Sequence, residues 1–246
     1  MTAINAATFI AVLVALVLVV PPRAAKQPGA PHVTLRQGWS HLRAAGHHRL
    51  IIGLLAGLTV LSGAVAPVLS VCIPLLSRAH GWSPAYAGFM EASFMAAALP
   101  VGLTVAARGA MTRAGKALVG GPVLASGGLL ILAWAPSIVI ACLGAAVLAV
   151  GTVLFSTHAL PAFLSASPHG LQVRLQAVLG VVQAVPVLVM NNVYGPIAQH
   201  VSPSWAVVLA SVLMLAVAVI MLTNYATRTI RLPKADTSAK STVATA

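Results

Sequence analysis

The residue with the clearest chemical potential is Glu91, an acid placed inside an apolar stretch of the chain. It stands seven positions into the run 84–107, about 10 Å from the start of that run at the rise of an α-helix. A charged carboxylate at this depth in a bilayer costs several kcal/mol unless it is paired or protonated. Since desolvation favours the neutral form, the residue can take up and release a proton as its surroundings change. The alternative is a protonated acid that only hydrogen-bonds a neighbouring helix.

Four more polar side chains interrupt apolar runs: His158, Gln183, Asn191 and Asn192. The two asparagines stand at roughly the depth of Glu91, so they can either bond its carboxyl group or line a cavity. Because adjacent residues of a helix point about 100° apart, we expect only one of the two to face inward. Gln183 lies nearer the middle of the same run. His158 lies toward the other end of its run, where helix–helix hydrogen bonding is the commoner role and proton relay the alternative.

The sequence contains no pattern typical of a catalytic or metal-binding site. Cys72 and Cys142 lie inside apolar runs without the spacing of metal ligands, and we interpret them as buried small hydrophobic residues. The chain has no phosphate-binding glycine loop, no G-x-S-x-G motif, no paired carboxylates and no His or acidic cluster with metal spacing. We therefore predict a protein that is not an enzyme and that uses no metal and no cofactor.

The elements that must hold these residues are membrane-spanning helices. The chain has 246 residues, of which 59% are hydrophobic and 7% charged, against roughly a quarter charged in a soluble domain. Taking about 20 apolar residues as one span, we find seven runs at 3–20, 50–76, 84–107, 117–135, 137–164, 171–199 and 204–226. Pro136 separates the fourth run from the fifth, because proline disfavours helix at the preceding residue. The predicted fold is an all-α integral membrane protein with about seven transmembrane helices.

These runs divide the chain into four parts. Residues 1–20 form a first span that lacks the basic n-region and cleavage site of a removable signal peptide. Residues 21–49 form a basic linker, part of which is either an amphipathic interfacial helix or a plain connection. Residues 50–226 form a six-helix bundle. The tail 227–246 is polar, holds the second acid, Asp236, as a solvated charge, and is predicted to be disordered.

Positive charge is distributed along the chain as in membrane proteins. The formal net charge is +12, and thirteen of the 14 Lys and Arg residues fall in alternate gaps between the runs. Because Lys and Arg mark cytoplasmic loops, this predicts an N-terminus outside, a cytoplasmic C-terminus and insertion in the cell membrane. The lipid bilayer is therefore a predicted partner. Nucleic-acid binding is not expected, since it requires a solvated basic face.

Small residues and prolines recur inside the runs. Gly53 and Gly57 form a G-x-x-x-G pattern, and glycines recur at 120–121, 127–128, 144 and 151. Small residues allow membrane helices to approach each other closely. Prolines within the runs interrupt helical hydrogen bonding, which is tolerated where neighbouring groups satisfy the backbone; they are Pro67, Pro74, Pro100, Pro161 and Pro186. We expect closely packed, kinked helices.

Several segments, in this order, resemble the C-terminal half of a major facilitator superfamily transporter. GWSHLRAAGHHRLI is similar to the linker helix of its macrolide-efflux and siderophore-exporter branch, and GFMEASFMAAALPVG to the eighth span of that branch. RGAMTRAGKAL resembles the cytoplasmic loop that follows this span, and SASPHGLQVRLQAVLG, with Arg174, the loop that enters the eleventh span. In the loop RGAMTRAGKAL, Arg113, Gly115 and Lys116 fit the family motif. Two positions depart from it: Arg108 stands where the motif usually has Gly, and Thr112 where it usually has Asp.

The resemblance extends from residue 1 to about 226 and implies the last span of an N-terminal half followed by a six-helix C-terminal half. It also implies a secondary active transporter that exports small amphipathic compounds against protons. Spans two, three, five and six would line the central cavity, and Glu91 would couple transport to the proton gradient. Gln183, Asn191, Asn192 and His158 are the further candidates for the cavity.

The chain departs from this family in its length. A complete member has two six-helix halves and begins in the cytoplasm, whereas an outside N-terminus and seven spans correspond to one half with one extra helix. We expect either a truncated transporter or one that pairs with a missing N-terminal half or a second chain. A protein of another class remains the alternative: a non-transporting membrane fragment or a membrane-embedded interaction partner.

Overall fold

The computed structural model describes residues 48–109, 114–166, 172–225 and 227, which fall in one compact unit of the chain. This part is all-helical and contains no strand. Its helices are α1 (His48–Pro67), continued through a π-helical turn (Val68–Cys72) into α2 (Ile73–Ala79), then α3 (Ala85–Arg108), α4 (Ala114–Ala133), α5 (Ile138–Ala166), α6 (Gln172–His200) and α7 (Pro203–Thr223). Six of the resulting helical segments, with α1 and α2 counted as one, are long and apolar enough to cross a membrane. These six helices are those of a multi-pass membrane protein.

The apolar runs predicted six of these spans closely. Each helical segment begins and ends within three residues of the corresponding run between 50 and 226. The predicted first span at 3–20 lies outside the described residues, as do nearly all of the linker 21–49 and of the tail 227–246. Within the tail only Thr227 is described, and its buried hydroxyl donates to the carbonyl oxygen of Met221 at 2.6 Å.

Short polar connections end the helices for identifiable reasons. The break at Pro136 is confirmed, since α4 ends at Ala133 and α5 begins at Ile138. Ser202 caps α7 by accepting a hydrogen bond from the backbone N–H of Ser204 at 3.2 Å, and Pro203 occupies the first helical position, where a missing N–H costs nothing. Gly109, with φ of +80°, follows α3 in a conformation that side chains rarely adopt.

The first described span is irregular in its middle. Pro67 has no N–H to bond the carbonyl group of Gly63, and the five residues after it form the π-helical turn. Such turns are rare and are found mostly as single interruptions of an α-helix. The predicted interruption at a proline thus takes the form of a π-helical turn, which joins α1 to α2 without ending the span.

Glycines bring α4 and α5 into backbone contact. An ideal Cβ on Gly121 would lie 2.8 Å from the carbonyl oxygen of Gly151, and one on Gly128 would lie 2.7 Å from that of Gly144. Real Cβ atoms do not approach backbone so closely, so these positions require glycine. The predicted close packing through small residues is confirmed for this helix pair. Because the hydrophobic effect does not drive helices together in lipid, the van der Waals contact that this packing allows stabilises the pair.

The helices differ greatly in how much of their surface is covered. α4 packs against α5 and α7, α3 packs mainly against α5, and α1 packs against α6 and α7. In the most apolar stretches of α3 and α6 only 11% of residues are buried, against 44–56% in the other four spans. Most of the surface of α3 and α6 is therefore open to lipid, to water or to another protein.

Aromatic residues collect at one end of the bundle. Trp134 and Trp205 meet edge to face with ring centroids 6.1 Å apart, and Trp82 stacks on His80 in the loop between α2 and α3. Arg108 and Lys116 lie at the opposite ends of these antiparallel helices. Tryptophan favours the membrane interface, so these side chains mark one boundary of the apolar layer.

Candidate functional site

An open cleft of about 500 Å³ lies in the middle of the bundle, between four helices. α1 and the π-helical turn form one wall, α3 contributes Phe94, and α5 and α6 complete the lining. These are the second, third, fifth and sixth predicted spans, the set that the family resemblance assigns to a cavity. The lining is overwhelmingly apolar, and no charged residue belongs to it.

Four neutral polar side chains interrupt this apolar lining: Ser62, Thr152, Ser156 and Gln183. The hydroxyl of Ser62 donates to the carbonyl oxygen of Leu58 at 2.9 Å, and that of Thr152 donates to Ala149 at 2.9 Å. Ser156 donates in the same way to Val153 at 3.3 Å. Since each proton is already used within its own helix, these hydroxyl groups offer the cleft only acceptor lone pairs.

Gln183 differs from the hydroxyl groups, because its side-chain amide has no hydrogen-bond partner among the described residues. An amide carries two donors and one acceptor oxygen, so it can bind a ligand group of either kind. Half-buried polar groups that are left unbonded favour a ligand or water at that point. The structure thus places Gln183, one of the predicted cavity residues, in the wall of the cleft.

Glu91 lies one helical turn from the cleft rather than in its lining. Phe94, three residues later on α3, lines the cleft, and residues three apart are neighbours on a helix surface. Glu91 is exposed, and no described residue pairs with or hydrogen-bonds its carboxyl group. It stands about 9 Å along the axis from the start of α3 at Ala85, which keeps it at membrane depth.

The two asparagines face different surroundings, as their adjacent positions predict. Asn191 is half-buried, and its Oδ1 atom lies 3.5 Å from the hydroxyl oxygen of Ser70 in the π-helical turn. Asn192 is exposed and donates to the carbonyl oxygen of Leu188, on its own helix, at 2.8 Å. Neither bonds Glu91, so of the two alternatives for the asparagines the hydrogen bond to that carboxyl group does not form in this structure. Asn191 follows the cleft residue Val187 by one turn and therefore lies just beyond the cleft, as Glu91 does.

His158 is the candidate that the structure separates from the cleft. Its side chain is fully buried, and its Nδ1–H donates to the carbonyl oxygen of Leu154 at 2.8 Å. It belongs to the packed side of α5, while Ser156 lines the cleft on the other side. Residues two positions apart point to nearly opposite sides of a helix, so His158 and Ser156 face two environments, and the bond from His158 to Leu154 lies within α5.

The basic loop motif is only partly described. Arg108 and Lys116 are exposed, whereas Gly115 is buried near the start of α4. Arg113 lies outside the described residues, as does Thr112, and the side chain of Arg174 in the later loop is not described either. The described members place two positive charges at the ends of α3 and α4.

Sequence reasoning missed part of the cleft wall. Ser62 and Thr152 were not among the candidates, because a single serine or threonine that bonds its own helix hardly changes the hydropathy of an apolar run. Thr152 and Ser156 are four residues apart and share one face of α5. This spacing of two polar residues in an apolar run was the available signal.

The part of the chain that the structure describes holds no group of three His, Cys or acidic residues suited to a metal ion.

No protein-family model matches the sequence, and no curated protein matches it significantly. Any function must therefore be argued from the bundle and its cleft.

Proposed function

We propose that this protein is a secondary active transporter of the cell membrane, related to the C-terminal half of major facilitator transporters, that exports small amphipathic compounds in exchange for protons. The observation that carries the proposal is the open cleft among α1, α3, α5 and α6. Ligand pockets are commonly 300–1,000 Å³ in volume, mostly apolar, with a few polar groups that fix orientation. A cleft of about 500 Å³ with four neutral polar side chains has this character.

The composition of the cleft wall supports amphipathic compounds as the transported class. Apolar side chains of α1 and α6 remove a hydrophobic ligand from water, which is favourable in proportion to the apolar area covered. Ser62, Thr152 and Ser156 accept hydrogen bonds, while the amide of Gln183 can donate or accept. A compound with an apolar body and one or two polar groups satisfies both parts of the wall.

Glu91 is the proposed proton-coupling residue. It is the only acid among the described residues, and it lies one turn from Phe94 in the cleft. Ionisable groups at membrane depth are costly and commonly mark ion or proton pathways. A carboxyl group can carry one proton, so a conformational change that opens and closes the space around Glu91 would couple transport to proton movement.

The proposed topology has seven spans, with the N-terminus outside and the C-terminus in the cytoplasm. Its support is the one-sided distribution of Lys and Arg in the sequence. The uncovered surfaces of α3 and α6 support a protein partner, either an N-terminal half or a second chain.

Transport in reconstituted vesicles tests this proposal. The full chain, with any partner that co-purifies, is placed in proteoliposomes that contain a fluorescent amphipathic amine, and a pH gradient is imposed. We expect release of the dye that depends on the gradient and that Glu91→Gln removes, since glutamine keeps the size of the side chain but cannot titrate. Ser93→Ala, two residues further on the same helix and outside the cleft, is the control and should transport normally. If Glu91→Gln transports with an unaltered pH profile, the coupling role is wrong.

A membrane-embedded interaction partner is the second candidate, and the exposure of α3 and α6 favours it. Glu91 and Asn192 are both exposed on these helices, and polar side chains in lipid normally face protein or water. Single cysteines at Val185 and Leu99, which are both exposed, allow cross-linking in native membranes after the two natural cysteines are replaced. Cross-links to another membrane protein without any dye transport would support this second function over the first.

A further inference from the structure

A second depression lies apart from the cleft, between α3 and α5. It has a volume of about 430 Å³ and runs along α3 from Pro100 to Gly109, with Leu154 of α5 as its opposite wall. Its lining is apolar except for Thr104 and Arg108. The hydroxyl of Thr104 donates to the carbonyl oxygen of Pro100 at 2.7 Å, so it adds little polarity to the groove.

The groove has the length of one membrane leaflet. The nine residue-to-residue steps from Pro100 to Gly109 cover about 14 Å along the axis, and half of the hydrocarbon core of a bilayer measures about 15 Å. Gly109 directly follows the last residue of α3, Arg108, so the groove begins at the end of the helix and extends inward. Its apolar part therefore covers the depth that the acyl chain of one leaflet occupies.

Arg108 places a single positive charge at the mouth of this groove. It is exposed in the last turn of α3. The only acid among the described residues, Glu91, lies 17 positions earlier on the same helix, about 25 Å away along the axis. No described carboxylate is therefore close enough to neutralise the guanidinium group, which presents five N–H donors suited to phosphate.

We propose that this groove binds an anionic phospholipid, with its phosphate group at Arg108 and an acyl chain against Val101, Val105 and Leu154. A free phosphate ion would use the guanidinium group but none of the apolar groove. A zwitterionic lipid would use the groove but would gain less from the positive charge. Basic pockets between membrane helices near the headgroup region are known to favour acidic lipids. The proposal is independent of transport, since the groove shares no residue with the central cleft.

Native mass spectrometry of the full chain with added phosphatidylglycerol and phosphatidylcholine tests this site. We expect the ratio of phosphatidylglycerol to phosphatidylcholine adducts to fall about fivefold in Arg108→Gln, the effect of one basic residue near a membrane surface. Arg78→Gln is the matched control, because Arg78 is also exposed in the last turn of its helix but lies at the other end of the bundle. The control should keep the ratio of the unchanged protein.

A second variant tests the apolar part of the groove. Val105→Trp fills the groove and should reduce adducts of both lipids, while circular dichroism reports that the helices remain. The proposal is overturned if Arg108→Gln keeps its preference for phosphatidylglycerol or if Arg78→Gln loses as much as Arg108→Gln does. Lipid adducts unaffected by Val105→Trp would overturn it too, and so would a dimer of the chain that excludes lipid from the groove.

Discussion

The hydroxyl oxygen of Ser70 lies 3.5 Å from the side-chain oxygen of Asn191, across the junction of the π-helical turn and α6. The contact is at the outer limit of a hydrogen bond, and Ser70 already donates to the carbonyl oxygen of Ala66 at 3.0 Å. The polar link between these two elements is thus weak. It lies one turn beyond the cleft, on the face that Val187 shares with Asn191. The contact between the π-helical turn and α6 therefore rests mainly on apolar packing.

A contrasting polar link holds α4 to α7. The hydroxyl oxygens of Ser126 and Ser211 are 2.7 Å apart and buried, and Ser211 also approaches the carbonyl oxygen of Ser126 at 3.2 Å. In a double-mutant cycle with Ser126→Ala and Ser211→Ala, we expect a coupling of about 0.6 kcal/mol and at most about 1.7 kcal/mol. Unfolding in mixed detergent micelles measures it. The same cycle for Ser70→Ala and Asn191→Ala should give a coupling near zero, and an equal coupling for both pairs would contradict this distinction.

Because α4 contacts α5 through Gly128 but not through Gly127, we expect alanine at these two adjacent positions to change the free energy of unfolding differently. Gly128→Ala places a methyl group against the backbone of Gly144 and Leu148 and should cost about 1–3 kcal/mol of unfolding free energy. Gly127→Ala meets nothing within 4 Å and should be neutral or stabilise by about 0.5–1 kcal/mol, since alanine is the better helix former. Unfolding of both variants in the same micelles measures the difference. Similar losses in the two variants would mean that the glycines serve the helix backbone rather than the helix contact.

The unbonded amide of Gln183 predicts a loss of ligand affinity. Gln183→Leu keeps the volume of the side chain but removes its donors and its acceptor, so binding of an amphipathic dye should weaken about fivefold, the effect of one lost hydrogen bond. Gln176→Leu is the control, since Gln176 is exposed on the same helix and does not line the cleft. Fluorescence titration of the purified chain measures the two affinities. Equal weakening in both variants would argue against a ligand site at Gln183.

The π-helical turn should depend on Pro67. Pro67→Ala supplies an N–H for the carbonyl group of Gly63, so the regular α-helical pattern can continue through residues 68–72. We expect backbone hydrogen exchange in this segment to slow about fivefold, as one hydrogen bond is gained. Pro100→Ala, inside α3 where the helix stays regular, should leave exchange in the segment unchanged. Unaltered exchange in Pro67→Ala would place the cause of the turn in its packing against α6 and α7 instead.

The sequence by itself determined the helices and their limits. Apolar runs and Pro136 defined six spans to within three residues, because hydropathy and helix ends are local properties of the chain. It also identified Gln183 as a polar group at membrane depth and the recurring glycines as residues that allow close packing, although only the structure separates Gly128, which contacts α5, from Gly127. Such inferences need only the cost of polar groups in lipid and the size of a side chain.

Tertiary structure alone decided which faces of those helices meet. His158 and Ser156 are two residues apart on α5, yet His158 is buried in packing and Ser156 lines the cleft. Glu91 and Asn191 were candidates for one hydrogen bond, but the structure leaves Glu91 without a described partner and sets Asn191 against Ser70. An apolar run is hydrophobic on every side, so its periodicity does not reveal its rotation. Rotation is set by contacts with other helices, and these contacts bring together residues far apart in the chain.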